Sequence, residues 1–547
     1  MPENESMPED DSMPKEGSTP EDGSTPAHAS ISARETYVSQ ILEVMSAEPE
    51  QVVLSCRDET LTGDELTRSV RSAAQVLRRH AGESSDDADA PVVAILTVTN
   101  SPATLILRYA ANLTGATVVH LQTTNAVDPG DRIATDAKLT ILAETGATHL
   151  AVDAEHLALA RELCDRLPAP PTLLGWGDLA ADVLDVTAGD ADAFDPSAVE
   201  IPLDRAAVVT YTSGTTGRPK GIAVDFRTRN GYITAGLTMA WRGAYLATLP
   251  MSHSSGALAD DSLASGGSVV IHDGFDAGAV LRAVAEHGIT RTLLSPPQLY
   301  LLMDHPEVTT TDLSSLQMLC YTGCPASPER LADAVKIFGE VLFQIYGTSE
   351  AAAISMLTPA EHADPELRLT VGRPMAGEIR IRDEHDHTDL PAGATGEICV
   401  RSPFAMRGYV GDPELTARTV RDGWVHTGDL GRVDERGYIH ILGRVADVIK
   451  TNGIKIQPLT VENTLMAHPD VVQAAVFCVR DKDRVEHMHA AVVLRDGGTA
   501  TAAELSDHVS TALSPKHVPA EIGIRPELPL TRVGKPDRAR LAAGAGG

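Results

Sequence analysis

The chain has 547 residues, too many for a single hydrophobic core, so two or more domains are expected. Its formal net charge of −31 disfavours nucleic acids and anionic membranes as partners, because their phosphates would repel it. We find no apolar run of membrane-spanning length and no signal-peptide pattern, and the six cysteines are scattered along the sequence. These features predict a cytoplasmic protein.

Residues 1–33 repeat acidic residues, proline and serine without an apolar period, which predicts a disordered acidic tail. From residue 34 onward, short apolar strands alternate with helical patterns. Residues 92–97 are predicted to form a strand, 102–113 a helix, 117–121 a strand, 138–144 a helix and 149–152 a strand. Such alternation is typical of an α/β fold with mostly parallel sheets.

A short apolar run at residues 206–210 predicts a buried strand, and a loop rich in glycine, serine and threonine follows it. Glycine lets the backbone approach an anion closely, hydroxyls donate hydrogen bonds to its oxygens, and a lysine adds charge. The pattern therefore predicts a polyphosphate-binding loop. It differs from the common nucleotide-triphosphatase loop, because Lys220 precedes Gly221 rather than Ser or Thr. The candidate residues of the loop are Thr212, Ser213, Gly214, Thr215, Thr216, Gly217 and Lys220.

Three further segments carry groups suited to a nucleotide. Gly323, Cys324 and Pro325 form a narrow turn where backbone could lie against a flat base. Residues 346–350 supply an aromatic ring, hydroxyl donors and a carboxylate, which suit an adenine, a phosphate and magnesium. Asp429, in a His-Thr-Gly-Asp run, could accept hydrogen bonds from both ribose hydroxyls. A helix is also predicted to begin at Ala351, where Glu350 would serve only as a cap.

A tight hairpin is predicted at residues 431–440, and a domain boundary follows it near 442–446. The remaining hundred or so residues form a compact α+β pattern, with helices near 460–467 and 502–513 and strands near 473–479 and 490–494. Two segments of this region carry further candidate functional residues. One runs from Gly443 through Arg444 and Lys450 to Glu462, and the other ends at Lys535.

The order and spacing of these motifs resemble those of the AMP-forming adenylating enzymes, over roughly residues 35–541. This superfamily includes acyl- and aryl-CoA ligases, luciferase-like enzymes and adenylation domains. The resemblance implies a large N-terminal domain (34–444) of stacked βαβ sheets plus a β-barrel-like subdomain, followed by a small mobile α+β domain (445–547). It also implies two half-reactions, in which a carboxylate first displaces pyrophosphate from ATP and an acceptor then displaces AMP.

The resemblance further implies the role of each candidate residue. Lys535 should bridge the carboxylate and the α-phosphate, Ser349 should bind the α-phosphate, and Glu350 should hold Mg²⁺. Lys450 and Gly453 should enter the site for the second half-reaction, once the small domain has swung. The implied cofactors are ATP, Mg²⁺ and coenzyme A. The remaining residues implied in ATP or AMP binding are the phosphate loop, Gly323, Cys324, Pro325, Tyr346, Gly347, Thr348, Asp429 and Arg444.

The acid-binding pocket departs from the family pattern. His253 fits the position of the family's acyl-pocket histidine, although a lone histidine could equally be a core residue. The helix that follows is largely apolar in the family and lines an acyl tunnel, but here it carries Asp260 and Asp261. We favour the interpretation that both side chains face solvent. If one of them pointed into the pocket, the substrate would carry an amine or a hydroxyl. A second departure is Ala446, which stands at a hinge position usually held by Asp or Lys.

Three functions remain open at this point. The leading hypothesis is a stand-alone acid–CoA ligase. The second is an aryl or acyl ligase that loads a separate carrier protein. The third is an enzyme that adenylates nitrite and passes it to an arylamine, because relatives resembling this group form diazo products in that way.

Overall fold

The computed structural model describes residues 30–81, 90–122, 133–212, 219–238, 241–451, 454–480, 485–531 and 535–545. Its helices and strands are numbered in chain order. The helices are α1 (Tyr37–Ala47), α2 (Gly63–Ala81), α3 (Pro102–Leu113), α4 (Thr135–Thr145), α5 (Leu157–Arg166), α6 (Phe226–Leu237), α7 (Ser254–Ala264), α8 (Ala277–His287), α9 (Pro296–Met303), α10 (Pro328–Phe338), α11 (Pro413–Thr419), α12 (Pro458–Met466), α13 (Ala502–Ala512) and α14 (Arg538–Ala545).

Two large sheets form the body of the molecule. The first has eight strands in the order β21-β11-β10-β5-β4-β6-β7-β8. Its members are β4 (Val92–Leu96), β5 (Thr117–His120), β6 (His149–Val152), β7 (Thr172–Gly175), β8 (Leu184–Asp185), β10 (Ala206–Thr212), β11 (Lys220–Asp225) and β21 (Gly408–Tyr409). The second has nine strands in the order β18-β17-β16-β15-β14-β12-β13-β2-β3. Its members are β2 (Val52–Cys56), β3 (Glu59–Thr62), β12 (Ala244–Ala247), β13 (Ser268–Ile271), β14 (Ile289–Leu294), β15 (Met318–Thr322), β16 (Leu342–Thr348), β17 (Ala352–Leu357) and β18 (Arg373–Pro374).

The central strands of both sheets are buried on both faces, which explains why β4, β6, β12 and β13 are almost continuously apolar. In β4, Val93 and Ile95 enter a core that also takes residues of β12, while Ala94 and Leu96 enter a separate core on the opposite face. In β12, Leu246 likewise faces away from the shared core. The two sheets are therefore stacked around one common core with helices outside, which confirms the predicted α/β class.

Two smaller units complete the chain. An antiparallel sheet follows the large sheets and has its own core; its strands are β19 (Glu378–Arg382), β20 (Gly396–Arg401), β22 (Val420–Arg421), β23 (Trp424–Val433) and β24 (Ile439–Arg444). It occupies the place of the predicted barrel-like subdomain. Beyond it lies the small domain, in which helices α12 and α13 pack on the hairpin β25 (Ile449–Thr451)–β26 (Ile454–Ile456) and on a sheet of β27 (Val471–Arg480), β28 (Glu486–Leu494) and β29 (Glu521–Arg525).

Two local predictions from the sequence are wrong. The predicted tail extends too far, because β1 (Ser30–Ser32) pairs with β9 (Glu200–Pro202) and Ala33 is fully buried; the rest of the tail lies outside the described residues. No helix begins at Ala351, because residues 349–351 form the turn of the antiparallel hairpin β16–β17. Glu350 therefore does not cap a helix. Among the described helices, none has the length and hydropathy needed to cross a bilayer.

The topology gathers the candidate residues at one edge. His253 follows β12, Gly323 follows β15 and Glu350 follows β16. With β14 between β12 and β15, these are parallel strands of the nine-stranded sheet, so their carboxyl ends share an edge. The predicted phosphate loop follows β10 of the other sheet. Ligands of open α/β sheets bind outside the carboxyl ends of the strands, so this edge is where a site is expected.

Candidate active site

The candidate ribose group joins the nine-stranded sheet to the antiparallel sheet. The hydroxyl of Tyr346 donates a 2.8 Å hydrogen bond to Asp429 Oδ2, and Arg444 Nε lies 3.0 Å from Asp429 Oδ1. Asp429 and Arg444 face each other because β23 and β24 pair in that register. Burial raises the pKa of Asp429, although Arg444 and Tyr346 oppose the shift. Each carboxylate oxygen retains a lone pair that could accept a ribose hydroxyl.

The candidate magnesium ligand lies beside the exit of the phosphate loop. Tyr409 donates a 2.7 Å hydrogen bond from its hydroxyl to Glu350 Oε1, and the Lys220 ammonium lies 5.8 Å from the centre of the Tyr409 ring. Lys220 pairs with Thr212 across β10 and β11, so these two residues bracket the loop. Ser213, Gly214, Thr215, Thr216 and Gly217 lie outside the described residues. Tyr409 was missed by sequence reasoning, because nothing in its local pattern indicates that it contacts Glu350.

At the end of β16 and in the turn after it, the polar groups of residues 347–349 are at least partly exposed. Ser349 and Gly347 are exposed, and Thr348 is half-buried, with its hydroxyl accepting the Ala351 N–H at 3.1 Å. A carboxylate oxygen is the hard ligand that Mg²⁺ prefers, so Glu350 fits the predicted metal role. Glu350 contacts the Tyr409 hydroxyl, and Tyr409 lies on β21 beside β11, the strand that follows the phosphate loop. A metal held by Glu350 could therefore also bind phosphate oxygens.

The candidate adenine turn also receives the side chain of Lys535. Gly323 has φ +99°, and a Cβ placed there would lie 3.3 Å from Lys535 Cε, so glycine both permits the turn and leaves room for the lysine. Pro325 is exposed beside it. Burial raises the pKa of Cys324 to about 12, so its thiol stays protonated and is a poor nucleophile.

Lys535 belongs to the small domain but reaches the large domain. Its backbone N–H donates to Thr531 Oγ1 at 3.2 Å, and its own carbonyl accepts the Thr531 N–H at 2.6 Å, which closes the turn that carries it. Although Lys535 keeps solvent contact, desolvation in the cleft lowers its pKa, and repulsion from Arg444 and Arg538 adds to the shift. The structure thus brings the predicted catalytic lysine to the candidate nucleotide residues.

Arg538 holds the base of that turn and was not singled out from the sequence. Its guanidinium bonds both oxygens of the buried Glu462, at 2.7 and 3.0 Å, and Glu462 also accepts the Val476 N–H. Glu462 therefore positions α14, which begins at Arg538, three residues after Lys535.

The two residues predicted for the second half-reaction are not part of this arrangement. Lys450 is exposed on β25, where its backbone N–H donates to Glu486 Oε2 at 3.0 Å. Gly453 lies outside the described residues. Ala446 is exposed in a short 3₁₀ turn, Val445–Asp447, directly after β24.

His253 is the residue directly before α7. Its Nδ1 is 3.0 Å from Ser252 Oγ, and the carbonyl of Ser252 accepts a hydrogen bond from Thr210 Oγ1 on β10. The protein around the half-buried ring lowers the pKa of His253 to about 4, with a smaller contribution from Lys535. The ring is therefore neutral at pH 7.

Below His253 lies a buried ionic group that we call the Asp260 cluster, formed by Arg108, Tyr109, Arg229 and Asp260. Asp260 is 0% exposed and pairs with the guanidinium groups of both arginines. Its Oδ1 also accepts a 2.5 Å hydrogen bond from the Tyr109 hydroxyl. Asp261 is buried too, with Oδ2 2.7 Å from Arg291 Nη1 and Oδ1 directed at Gly236 of α6. The solvent-facing arrangement favoured from the sequence is therefore wrong, because arginines from other helices and strands neutralise both acids.

The Asp260 cluster occupies the space beside Gly256, on the first turn of α7. A Cβ at Gly256 would lie 2.6 Å from Arg108 Nη1, and Arg108 also donates to the carbonyls of Met251 and Gly256 at 3.3 Å. Arg108 thus holds the turn bearing His253 from both sides. The sequence does contain a signal for it, since Arg108 is the one charged residue within the otherwise uncharged and fully buried helix α3.

The fold and this cleft are those of an adenylate-forming enzyme, with the candidate nucleotide-binding groups on one side and a lysine delivered by a second domain. Residues 42–410 match the family model of the AMP-binding enzymes, and residues 460–535 match that of the AMP-binding enzyme C-terminal domain. The chain therefore belongs to the AMP-forming adenylating enzyme superfamily, and it is an enzyme of the AMP-forming ligase family.

Three similar proteins indicate the range of reactions found among relatives of this chain. A medium/long-chain-fatty-acid–CoA ligase (FadD8) of Mycobacterium tuberculosis is 35% identical, over 74% of this chain and 75% of its own. A feruloyl-CoA synthase of Amycolatopsis is 33% identical, over 87% and 92%. The structure of the amide bond synthetase McbA from Marinactinospora thermotolerans superposes with a TM-score of 0.82 at 34% identity, covering 93% of this chain and all of the other.

Proposed function

We propose that the protein activates a carboxylic acid with ATP and transfers the acyl group to a thiol, that of coenzyme A. The observation that carries the proposal is the position of Lys535 against Gly323, beside the Asp429–Arg444 pair. A lysine in this place can neutralise charge as the carboxylate approaches the α-phosphate. The similarity to two acid–CoA ligases over most of the chain supports the same reaction class.

The roles we propose follow from the contacts. In the first step a carboxylate oxygen forms a bond to the α-phosphorus while the bond to pyrophosphate breaks, and Lys535 stabilises the charge that develops there. Glu350 would hold Mg²⁺, which neutralises the departing pyrophosphate. Asp429 and Tyr346 would fix the ribose and the base. In the second step the thiol sulfur bonds to the acyl carbon, the thiol proton is lost, and AMP leaves.

The acid side of the cleft, formed by α7 and the Asp260 cluster, supports a compact substrate rather than a long alkyl acid. An extended chain passing Gly256 would meet the Arg108 guanidinium and would have to desolvate it. Asp260 and Asp261 do not offer a free carboxylate for a substrate amine, since both pair with arginines. We therefore propose a small or aromatic acid that does not extend past the Asp260 cluster.

Two other acceptors and one other acid remain as alternatives. The likeness to an amide bond synthetase supports an amine acceptor, and a carrier-protein thiol is chemically equivalent to that of coenzyme A. The Asp260 cluster has two guanidinium groups for one carboxylate, a surplus positive charge that suits a very small anion. This surplus favours nitrite, with an arylamine acceptor, as the second candidate function.

Pyrophosphate release should be measured with medium- and long-chain fatty acids, aryl acids, short polar acids and nitrite, each without an acceptor. Acids that respond are then supplied with coenzyme A, a phosphopantetheinylated carrier protein or amines, and the products are identified by mass spectrometry. Preferential use of an aryl or short acid, with thioester formation, is expected. Preference for long-chain acids would overturn the compact-substrate proposal, and turnover with nitrite alone would replace the carboxylic acid.

A further inference from the structure

Apart from the candidate nucleotide residues, the antiparallel sheet brings together three side chains that we call the His–Glu–His cluster: His387, Glu397 and His426. One ligand atom from each can be chosen so that all three lie within 4.8 Å of one another. His387 lies in the turn between β19 and β20, Glu397 on β20 and His426 on β23. A register shift between β20 and β23 lets His426 face Cys399 while its Nδ1 lies only 2.7 Å from Glu397 Oε2.

The cluster contains polar atoms that nothing else in the described structure uses. Among the described residues, neither His387 Nδ1 nor His426 Nε2 has a hydrogen-bond partner, although both atoms are buried. Glu397 and His426 are each only 8% exposed. Buried imidazole nitrogens normally find partners, so two orphaned ones on facing rings indicate a missing group. The rings are 5.1 Å apart between centres and meet edge to face.

The backbone holds His387 in place by an unfavourable conformation. Its φ is +60°, in the left-handed region where residues other than glycine are uncommon. The turn is closed by hydrogen bonds from the His387 N–H to the Asp383 carbonyl (3.1 Å) and from the Asp383 N–H to the Thr388 carbonyl (3.0 Å). Strained residues persist where the surroundings fix them, and they concentrate at ligand sites.

We propose that the His–Glu–His cluster binds Zn²⁺ or a transition-metal ion of similar ligand preference. Two imidazoles and one carboxylate are a common zinc ligand set, and a fourth position is left for water. Tetrahedral zinc with bonds of about 2.1 Å places its ligand atoms roughly 3.4 Å apart, whereas the three ligand atoms here lie within 4.8 Å of one another. Binding therefore requires side-chain rotation, in which Glu397 exchanges its hydrogen bond with His426 Nδ1 for the metal and keeps the one that it accepts from the Gly428 N–H. Mg²⁺ takes oxygen ligands in preference to imidazole, so the site differs from the one proposed at Glu350.

The test uses the full chain without a histidine tag, stripped of metal by a chelator and then dialysed. Zn²⁺ binding is measured by calorimetry in the presence of excess Mg²⁺, and Co²⁺ binding by its visible absorption, which reports the geometry. One equivalent of Zn²⁺ per chain should bind in the micromolar range or tighter, and tetrahedral Co²⁺ should give intense bands. Wild-type protein that binds Zn²⁺ only at about 100 μM or weaker would overturn the proposal.

Three variants identify the ligands. His387→Gly and Glu397→Gln should each weaken Zn²⁺ binding at least ten-fold, whereas His385→Ala, at an exposed histidine of the same turn, should leave it unchanged. Glycine adopts φ +60° without strain, so His387→Gly should keep or raise the melting temperature of the metal-free protein, and lost binding cannot be ascribed to misfolding. Unaltered Zn²⁺ affinity in His387→Gly would overturn the assignment.

Discussion

The nucleotide side and the acid side of the cleft use charge in opposite ways. Asp429 is also buried, at 6% exposure, and is bonded to Tyr346 and Arg444, but each of its oxygens has only one of these partners and keeps acceptor capacity. Asp260 is fully buried, and two arginines and a tyrosine hydroxyl use both of its oxygens. We propose that the first arrangement receives a ligand. In the second arrangement the carboxylate is fully paired, and the cluster restricts a ligand mainly by the space it fills and by its surplus positive charge.

The largest expected effect is on the nucleotide side, with Lys535→Ala. Because the charge of Lys535 is needed mainly as the transition state forms, turnover in adenylate formation should fall by about a thousand-fold or more, while ATP affinity stays within several-fold. Pyrophosphate release and ATP binding measure the two quantities. A preformed adenylate should still yield product at a near-normal rate; near-normal pyrophosphate release would show that another residue has this role.

On the acid side, Asp260→Leu should reduce stability more than it alters kinetics. It leaves two buried guanidinium groups without their carboxylate, a change that costs about 3–5 kcal/mol in the free energy of unfolding. Chemical denaturation measures this cost. The matched control is Asp273→Leu, which breaks an exposed 2.9 Å pair with Arg57 and should change stability little. Equal effects of the two variants would mean that the Asp260 cluster is hydrated rather than buried.

A smaller effect is expected from Tyr346→Phe, which removes only the hydroxyl bonded to Asp429. Loss of one hydrogen bond to a charged group should weaken AMP and ATP binding by roughly ten-fold without unfolding the protein. Calorimetric titration with AMP measures the change. Tyr438→Phe is the control, since its hydroxyl makes a similar 2.7 Å bond to Glu361, which is not among the proposed nucleotide-binding groups. Unchanged AMP affinity in Tyr346→Phe would contradict the proposed ribose site.

The smallest effect concerns His253 and pH. Its folded pKa of about 4 lies below the ordinary value of 6.5, so the unfolded chain binds the proton more readily. His253 therefore contributes to a loss of stability as pH falls from 6.5 towards 4, and the contribution levels off below 4. His253→Gln should make the melting temperature fall less steeply with decreasing pH in that window. An identical slope for wild type and variant would show that the ring is hydrated and titrates normally.

The grouping of the candidate nucleotide residues could be predicted from the sequence because they lie in short contiguous motifs at the ends of strands; their roles stay predictions. The turn at Gly323, the Tyr346–Glu350 segment and Asp429 were each selected from a local pattern together with the family resemblance. The acid side could not be predicted, because Asp260 depends on Arg108 and Arg229, which are 152 and 31 residues away in the chain. Ala351 shows the same limit locally, since helix propensity there gives way to the pairing of β16 with β17.

Cys324 supplies a chemical reporter of domain movement. Its half-buried side chain lies near Lys535 of the small domain, and desolvation there raises its pKa to about 12, which makes it slow to react with an alkylating agent. If the small domain swings away as predicted for the second half-reaction, Cys324 becomes accessible while Cys56, Cys320 and Cys399 stay inside their domains. The alkylation rate of this single cysteine, located by peptide mass spectrometry, would then report domain alternation through the catalytic cycle.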